Sequence, residues 1–125
     1  MSEGKLIRIA AVITGVAVMC GAFGAHALRD VVSAERLAVW EKAVLYQLVH
    51  GVALLALGVF TAGGARENAA ALVQAAKVMC FGVVVFSGSL YVLVLTDTGW
   101  LGAITPVGGM ALIASWGMVA FGKWR

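Results

Sequence analysis

Charge is scarce in this chain. Only 12% of its 125 residues are Asp, Glu, Lys or Arg, while 62% are hydrophobic and mean hydropathy is +1.01. An ordinary soluble domain carries about 25% charged residues. All six acidic residues lie at segment ends or in loops. With no carboxylate inside an apolar run, paired-acid catalysis has no candidates, and ion-coupled transport lacks its usual intramembrane acid. Neither a phosphate-cradling glycine loop with lysine nor a nucleophile elbow occurs. The basic residues flank apolar runs instead of gathering on one face. Net charge +3 and pI near 9.2 therefore speak for membrane topology and against nucleic acid as a partner.

Cysteine is scarcer still, with two residues. Cys20 and Cys80 each close a Val-Met-Cys triplet inside an apolar run. The Cys-x-x-Cys and Cys-His spacings of metal and redox sites are missing, so both read as small packing residues, and no metal ligand set is assigned.

What the chain does have is apolar length. Four spans are read, at about 6–28, 43–62, 78–96 and 105–121, and together they make one polytopic membrane domain over 1–125. Each approaches or reaches the roughly 20 residues that cross a hydrocarbon core of about 30 Å. The expected fold class is all-α, a four-helix transmembrane bundle running up-down-up-down. Lys5, Arg8, the first apolar run and Ala25-His26-Ala27 imitate a signal peptide with its cleavage site, but the run is longer than a signal core, so a retained span is expected.

In that first span Ala17, Gly21 and Ala25 repeat every four residues, a small-residue stripe expected to pack against another helix. Ser33 is the expected N-cap of the second helix, whose first turns, Glu35 to Lys42, are amphipathic, with Trp40 suited to the interfacial belt. Gly63-Gly64 should end it, and Asn68 should cap the third helix. Thr105-Pro106 reads as N-cap and first helical residue of the fourth. Lys123-Trp124-Arg125 should anchor the end. With four spans, Lys5, Arg8, Arg66, Lys77, Lys123 and Arg125 share one side, against Arg29, Arg36 and Lys42 on the other. That asymmetry places both termini in the cytoplasm.

The polar residues at lipid depth are the candidate site. Tyr46, Gln47 and His50 share one helical face by their i,i+3 and i,i+4 spacing. His26, Ser87, Ser89, Tyr91 and Thr105 fall at a similar depth, in the outer half of the membrane. Intramembrane polar groups turn inward, toward other helices or a cavity. Three readings follow. The cluster is a hydrogen-bond network fixing helix register, the serines simply bonding back along their own helix. Or it is a pocket for a small ligand or lipid. Or His26 and His50 form a metal, haem or proton-relay site, which requires them to face each other at equal depth.

The stretch from Gly21 to Leu28 (Gly-Ala-Phe-Gly-Ala-His-Ala-Leu) and Trp40 through Tyr46-Gln47 to His50 resemble the YgdD-like family of small bacterial inner-membrane proteins, which has mitochondrial transmembrane relatives. Phe86-Ser87-Gly88-Ser89-Leu90-Tyr91 and the run from Leu101 to Gly109 extend the resemblance over essentially the whole chain. Leu95-Thr96-Asp97-Thr98-Gly99 departs from the family's shorter Leu-Thr-Gly turn. The resemblance implies a four-helix integral inner-membrane protein. It brings no established activity, so no catalytic residue and no cofactor is carried over. The expected partners are the lipid bilayer and a second copy or another membrane protein.

Overall fold

The computed structural model describes residues 2–63 and 66–122. Gly64 and the Lys123-Trp124-Arg125 anchor lie outside the described residues. Helix α1, Glu3–Phe23, continues into a wider π-helical turn, Gly24–Leu28; α2 is Ala34–Ala62, α3 Arg66–Thr96 and α4 Thr105–Ala120, preceded by a 3-10 turn at Gly99–Ala103. Four stretches, Gly4–Leu28, Ala34–Ala62, Ala69–Thr96 and Gly99–Ala120, are long and apolar enough to cross a membrane. The fold is an all-α four-helix bundle. The amphipathic turns before the second and third expected spans are continuous with them, which is why α2 and α3 outrun the hydrocarbon thickness.

Local chemistry sets most boundaries. Ser2 and Ser33 cap α1 and α2, their hydroxyls accepting from Lys5 N and Arg36 N. The Gly63 N–H closes α2 on the carbonyls of Val59 and Phe60. Helix α3 begins at Arg66, so Asn68 falls inside its first turn and not at the expected cap position. Its other end is a left-handed stop: Asp97 has φ 53°, and Thr98 N–H reaches back to Leu93 O at 3.2 Å. Arg36 pairs with Asp97 across the loops at 3.0 Å.

Each helix packs on its neighbour in sequence, α1 on α2, α2 on α3 and α3 on α4. Close approaches at glycine define the antiparallel registers. Gly24 lies under Trp40, Gly21 faces Val44, Gly51 faces Thr14 and Gly58 faces Ile7, while Gly82 faces Leu112 and Gly108 faces Phe86. A Cβ on Gly108 would overlap the Phe86 backbone, so that seam requires glycine. One apolar cluster, built on Leu6, Ala10, Leu54, Ala76, Met79, Val83 and Leu112, fills the half away from the α1–α2 loop. A second, built on Leu28, Trp40, Val44, Leu93 and Val94, fills the loop half. Apolar side chains such as Val12, Val52, Val84 and Ile113 cover the outside, as a lipid-facing surface requires.

The small-residue stripe is only partly inside. Ala17 is fully buried and Gly21 meets Val44, but Ala25 is exposed and Gly24 takes the buried place. A strict four-residue repeat turns about 40° per step in a 3.6-residue helix, so by its second step the stripe has wound about 80° away from α2.

Candidate functional site

The structure splits the expected cluster into two groups and a separate Ser89–Thr105 link between α3 and α4. The first lies near the loop end and joins α1, α2 and α3. Trp40 is buried among the helices and does not face outward as a belt residue would, because Gly24 leaves room for the indole: an added Cβ would fall 2.7 Å from Trp40 Cδ1. Its Nε1–H donates to Cys20 O at 2.8 Å, and its ring lies 4.6 Å from Tyr91 and 5.8 Å from Phe23. Gln47, also buried, donates from Nε2 to Ile13 O at 2.8 Å and accepts from the Tyr91 hydroxyl at 2.6 Å. One amide thus ties all three helices.

The serines of α3 do more than bond back along their helix. Ser87, 2% exposed, donates across to Ala43 O on α2 at 2.7 Å. Ser89 does bond back, to Phe86 O at 3.0 Å, but its oxygen also lies 2.7 Å from Thr105 Oγ1. Thr105 therefore links α4 to α3 and is not a cap: α4 carries no side-chain cap, and Pro106 occupies its first turn.

The second group sits deeper and joins α2 to α4. His50 is buried: its Nδ1 lies 2.7 Å from the Tyr46 backbone oxygen, and Trp116 Nε1 lies 3.0 Å from its Nε2. Indole nitrogen only donates, so Nε2 must be the acceptor and Nδ1 must carry the proton to a carbonyl that only accepts. The two contacts select the neutral Nδ1–H tautomer. Tyr46 supplies its ring, stacked 6.0 Å from His50 and 4.4 Å from Phe86. Trp116 had no sign in the sequence separating it from a lipid-facing tryptophan, and at 44% exposure it is half that still.

His26 joins neither group. It is exposed on the π-helical turn and shares no hydrogen bond or ring contact with His50. The α1–α2 register explains why: His50 lies level with Gly15, whereas His26 lies level with Val39. Eleven residues along α1 separate the two levels, on the order of 15 Å at 1.5 Å per residue. An antiparallel hairpin brings its loop-end residues together, and His50 is too far from the loop. The described residues contain no group of three or more His, Cys, Asp or Glu placed to hold a metal ion.

Comparison with known proteins decides the family. The model of the family described as "Protein of unknown function (DUF423)" matches residues 20–109. The chain belongs to that family. It is 46% identical over 110 residues to a UPF0382 membrane protein of Staphylococcus saprophyticus, covering 88% of each chain. To the UPF0382 membrane protein of Staphylococcus haemolyticus it is 44% identical, covering 95% of this chain and 94% of that one. To the UPF0382 membrane protein YwdK of Bacillus subtilis it is 40% identical, covering 90% of each. No solved structure matches. The matched span holds Trp40, Gln47, His50, Ser87 and Tyr91 but stops short of Trp116. The chain is a membrane protein of a family with no established activity, and its apolar outer surface contacts the bilayer.

Proposed function

We propose that this is a non-catalytic accessory protein of the bacterial inner membrane, multi-pass with both termini cytoplasmic, whose polar cluster fixes helix register. The partner in this reading is a second copy or another membrane protein, met on the lipid-facing surface. One observation supports it above others: each buried polar side chain, Gln47, His50, Thr61, Ser87 and Ser115, has a hydrogen-bond partner within the chain. Gln47 and Ser87 bond across to neighbouring helices, His50 to its own helix and to Trp116, and Thr61 and Ser115 back along their own helices, so the hydrogen-bonding capacity of each is engaged in holding the helices. The basic-residue asymmetry supports the orientation.

The reading is tested by an absorption spectrum and metal analysis of the purified protein. A featureless visible spectrum and substoichiometric metal are expected; a Soret band or one metal per chain would overturn it. For the orientation, single cysteines replacing Ser33 or Glu67 are introduced into a Cys20→Ala, Cys80→Ala background. An impermeant maleimide should label the first in intact cells and the second only after permeabilisation. The reverse pattern would invert the topology.

A further inference from the structure

Between α1 and α3, over the back of α2, runs a groove of about 170 Å³ lined by Ile13, Gln47, Ser87, Gly88, Tyr91 and two valines of α3. Its lower walls are aliphatic. Its exposed surface is almost wholly apolar; at the end toward the loops it meets Gln47, Ser87 and Tyr91, the two hydroxyls already donating to Ala43 O and Gln47 Oε1. A primary amide carries two N–H donors. Gln47 gives one to Ile13 O, and the second has no partner among the described residues. An unmet donor at lipid depth favours an acceptor oxygen, since lipid tails offer none.

The level of Gln47 narrows the source of that oxygen. Glu41 and Lys42 are exposed on α2 and must reach the head groups. Gln47 is five residues further in, about 7.5 Å at 1.5 Å per residue. A bilayer of about 40–45 Å with a hydrocarbon core of about 30 Å has interfacial layers of about 5–7 Å. Gln47 therefore lies where head group gives way to acyl chain, the level of the ester carbonyls. From that level the groove continues inward past Ile13 and Val83, along the direction an acyl chain takes.

We propose that the groove seats one acyl chain of a diester phospholipid, with Gln47 donating its second amide proton to the ester carbonyl. This goes beyond the accessory reading and does not need it: a lipid held in the groove is a ligand, whatever the protein's partner. Nor does the site compete with the helix ties, because the Gln47 contacts to Ile13 and Tyr91 stay in place.

Gly88 allows a clean test. A Cβ there meets nothing within 4 Å, so a Gly88→Leu side chain starts into open space at the groove wall, and leucine is the better helix former. Protein released from detergent micelles is compared by native mass spectrometry with dioleoyl phosphatidylglycerol and with its diether analogue, which lacks the carbonyls. Wild type should retain one diester lipid, and the diether lipid about threefold to fivefold less, the size of one ordinary hydrogen bond. Gly88→Leu should lose the retained lipid while melting no lower than wild type. Equal retention of diester and diether lipid would overturn the proposal on the wild-type protein alone. Undiminished retention by Gly88→Leu would show that the lipid sits elsewhere and would also overturn it. Either failure leaves the helix ties untouched, whereas a Soret band or bound metal would sink the accessory reading and not this one.

Discussion

At the loop end of the bundle, side chains reach across: Trp40 to Cys20 O, Gln47 to Ile13 O, Tyr91 to Gln47, Ser87 to Ala43 O. Toward the other end the hydroxyls turn home. Thr14 donates to Ala10 O, Thr61 to Leu57 O and Ser115 to Leu112 O, each on its own helix. There the helices are joined by Leu6, Leu54, Met79 and Leu112, with Gly58 and Gly82 allowing close approach. The contrast reflects what a bilayer rewards. Lipid tails are as apolar as leucine, so helices associate through tight contact or through hydrogen bonds. This chain uses tight contact at one end and adds hydrogen bonds at the other, where depth is small and water is near enough to compete.

The largest effect should come from breaking tight contact. Gly108→Leu would drive a side chain into the Phe86 backbone, with no flexible atom to yield. Overpacking costs about 1–3 kcal/mol, occasionally more, and a backbone obstacle puts this variant at the upper end. Thermal unfolding in detergent should show a greater loss for it than for any substitution of Gln47 or His50. A loss smaller than that of Gln47→Leu would mean that the α3–α4 seam gives way easily, and that hydrogen bonds outweigh tight contact where the loop half has both.

Next comes Gln47→Leu, which removes the amide shared by three helices. Hydrogen bonds between membrane helices average about 0.6 kcal/mol and reach about 1.7. Two lost together, with the Tyr91 hydroxyl left beside leucine, predict a cost of about 1–2 kcal/mol. The double mutant Gln47→Leu, Tyr91→Phe should recover part of it, because the stranded hydroxyl goes too. No recovery would show that Tyr91 has another partner ready.

His50 is a finer test, since its contacts straddle the two regimes. Glutamine can still accept from Trp116 and donate to a carbonyl one turn back, whereas alanine does neither and leaves a cavity. His50→Gln should melt closer to wild type than His50→Ala, by about 1 kcal/mol. The same ordering should vanish in a Trp116→Phe background if the indole contact is what glutamine preserves. Persistence of the full difference there would assign it to packing alone.

What could be read from the sequence follows the same line. Apolar length and basic flanks announce four spans because they are properties of single segments. The inward turn of Gln47 and His50 follows from the expense of amide and imidazole in lipid. Pairings between segments were not legible. Trp40 looks interfacial until Gly24, sixteen residues earlier, is known to lie beneath it. Ala25 belongs to a four-residue repeat whose winding shows only against a partner helix. His26 falls in the same outer half as His50 when depth is measured from the loops, but the Gly51–Thr14 approach puts the two at different levels. Thr105 carried two competing signals, a cap before proline and a partner for Ser89, and tertiary contact won.

The smallest effect concerns the polar contact that lies beyond the hydrocarbon. Arg36 and Asp97 are 3.0 Å apart, but Asp97 is 83% exposed, and exposed pairs contribute about 0–1 kcal/mol and weaken with salt. Asp97 also holds a left-handed backbone, φ 53°, at the end of α3, where glycine is the usual residue. A residue with a Cβ is less comfortable there by about 1 kcal/mol, somewhat less for aspartate. Asp97→Gly therefore exchanges a weak ion pair for relaxed backbone and should melt level with wild type or slightly above it. Arg36→Gln, which loses the pair and relaxes nothing, should melt level or slightly below. High salt should leave the gap between the two variants unchanged, because neither retains the pair that salt would screen. A clear loss in Asp97→Gly would mean that the ion pair holds the loop end together, and that the hydrogen bonds within the membrane are not the main ties there.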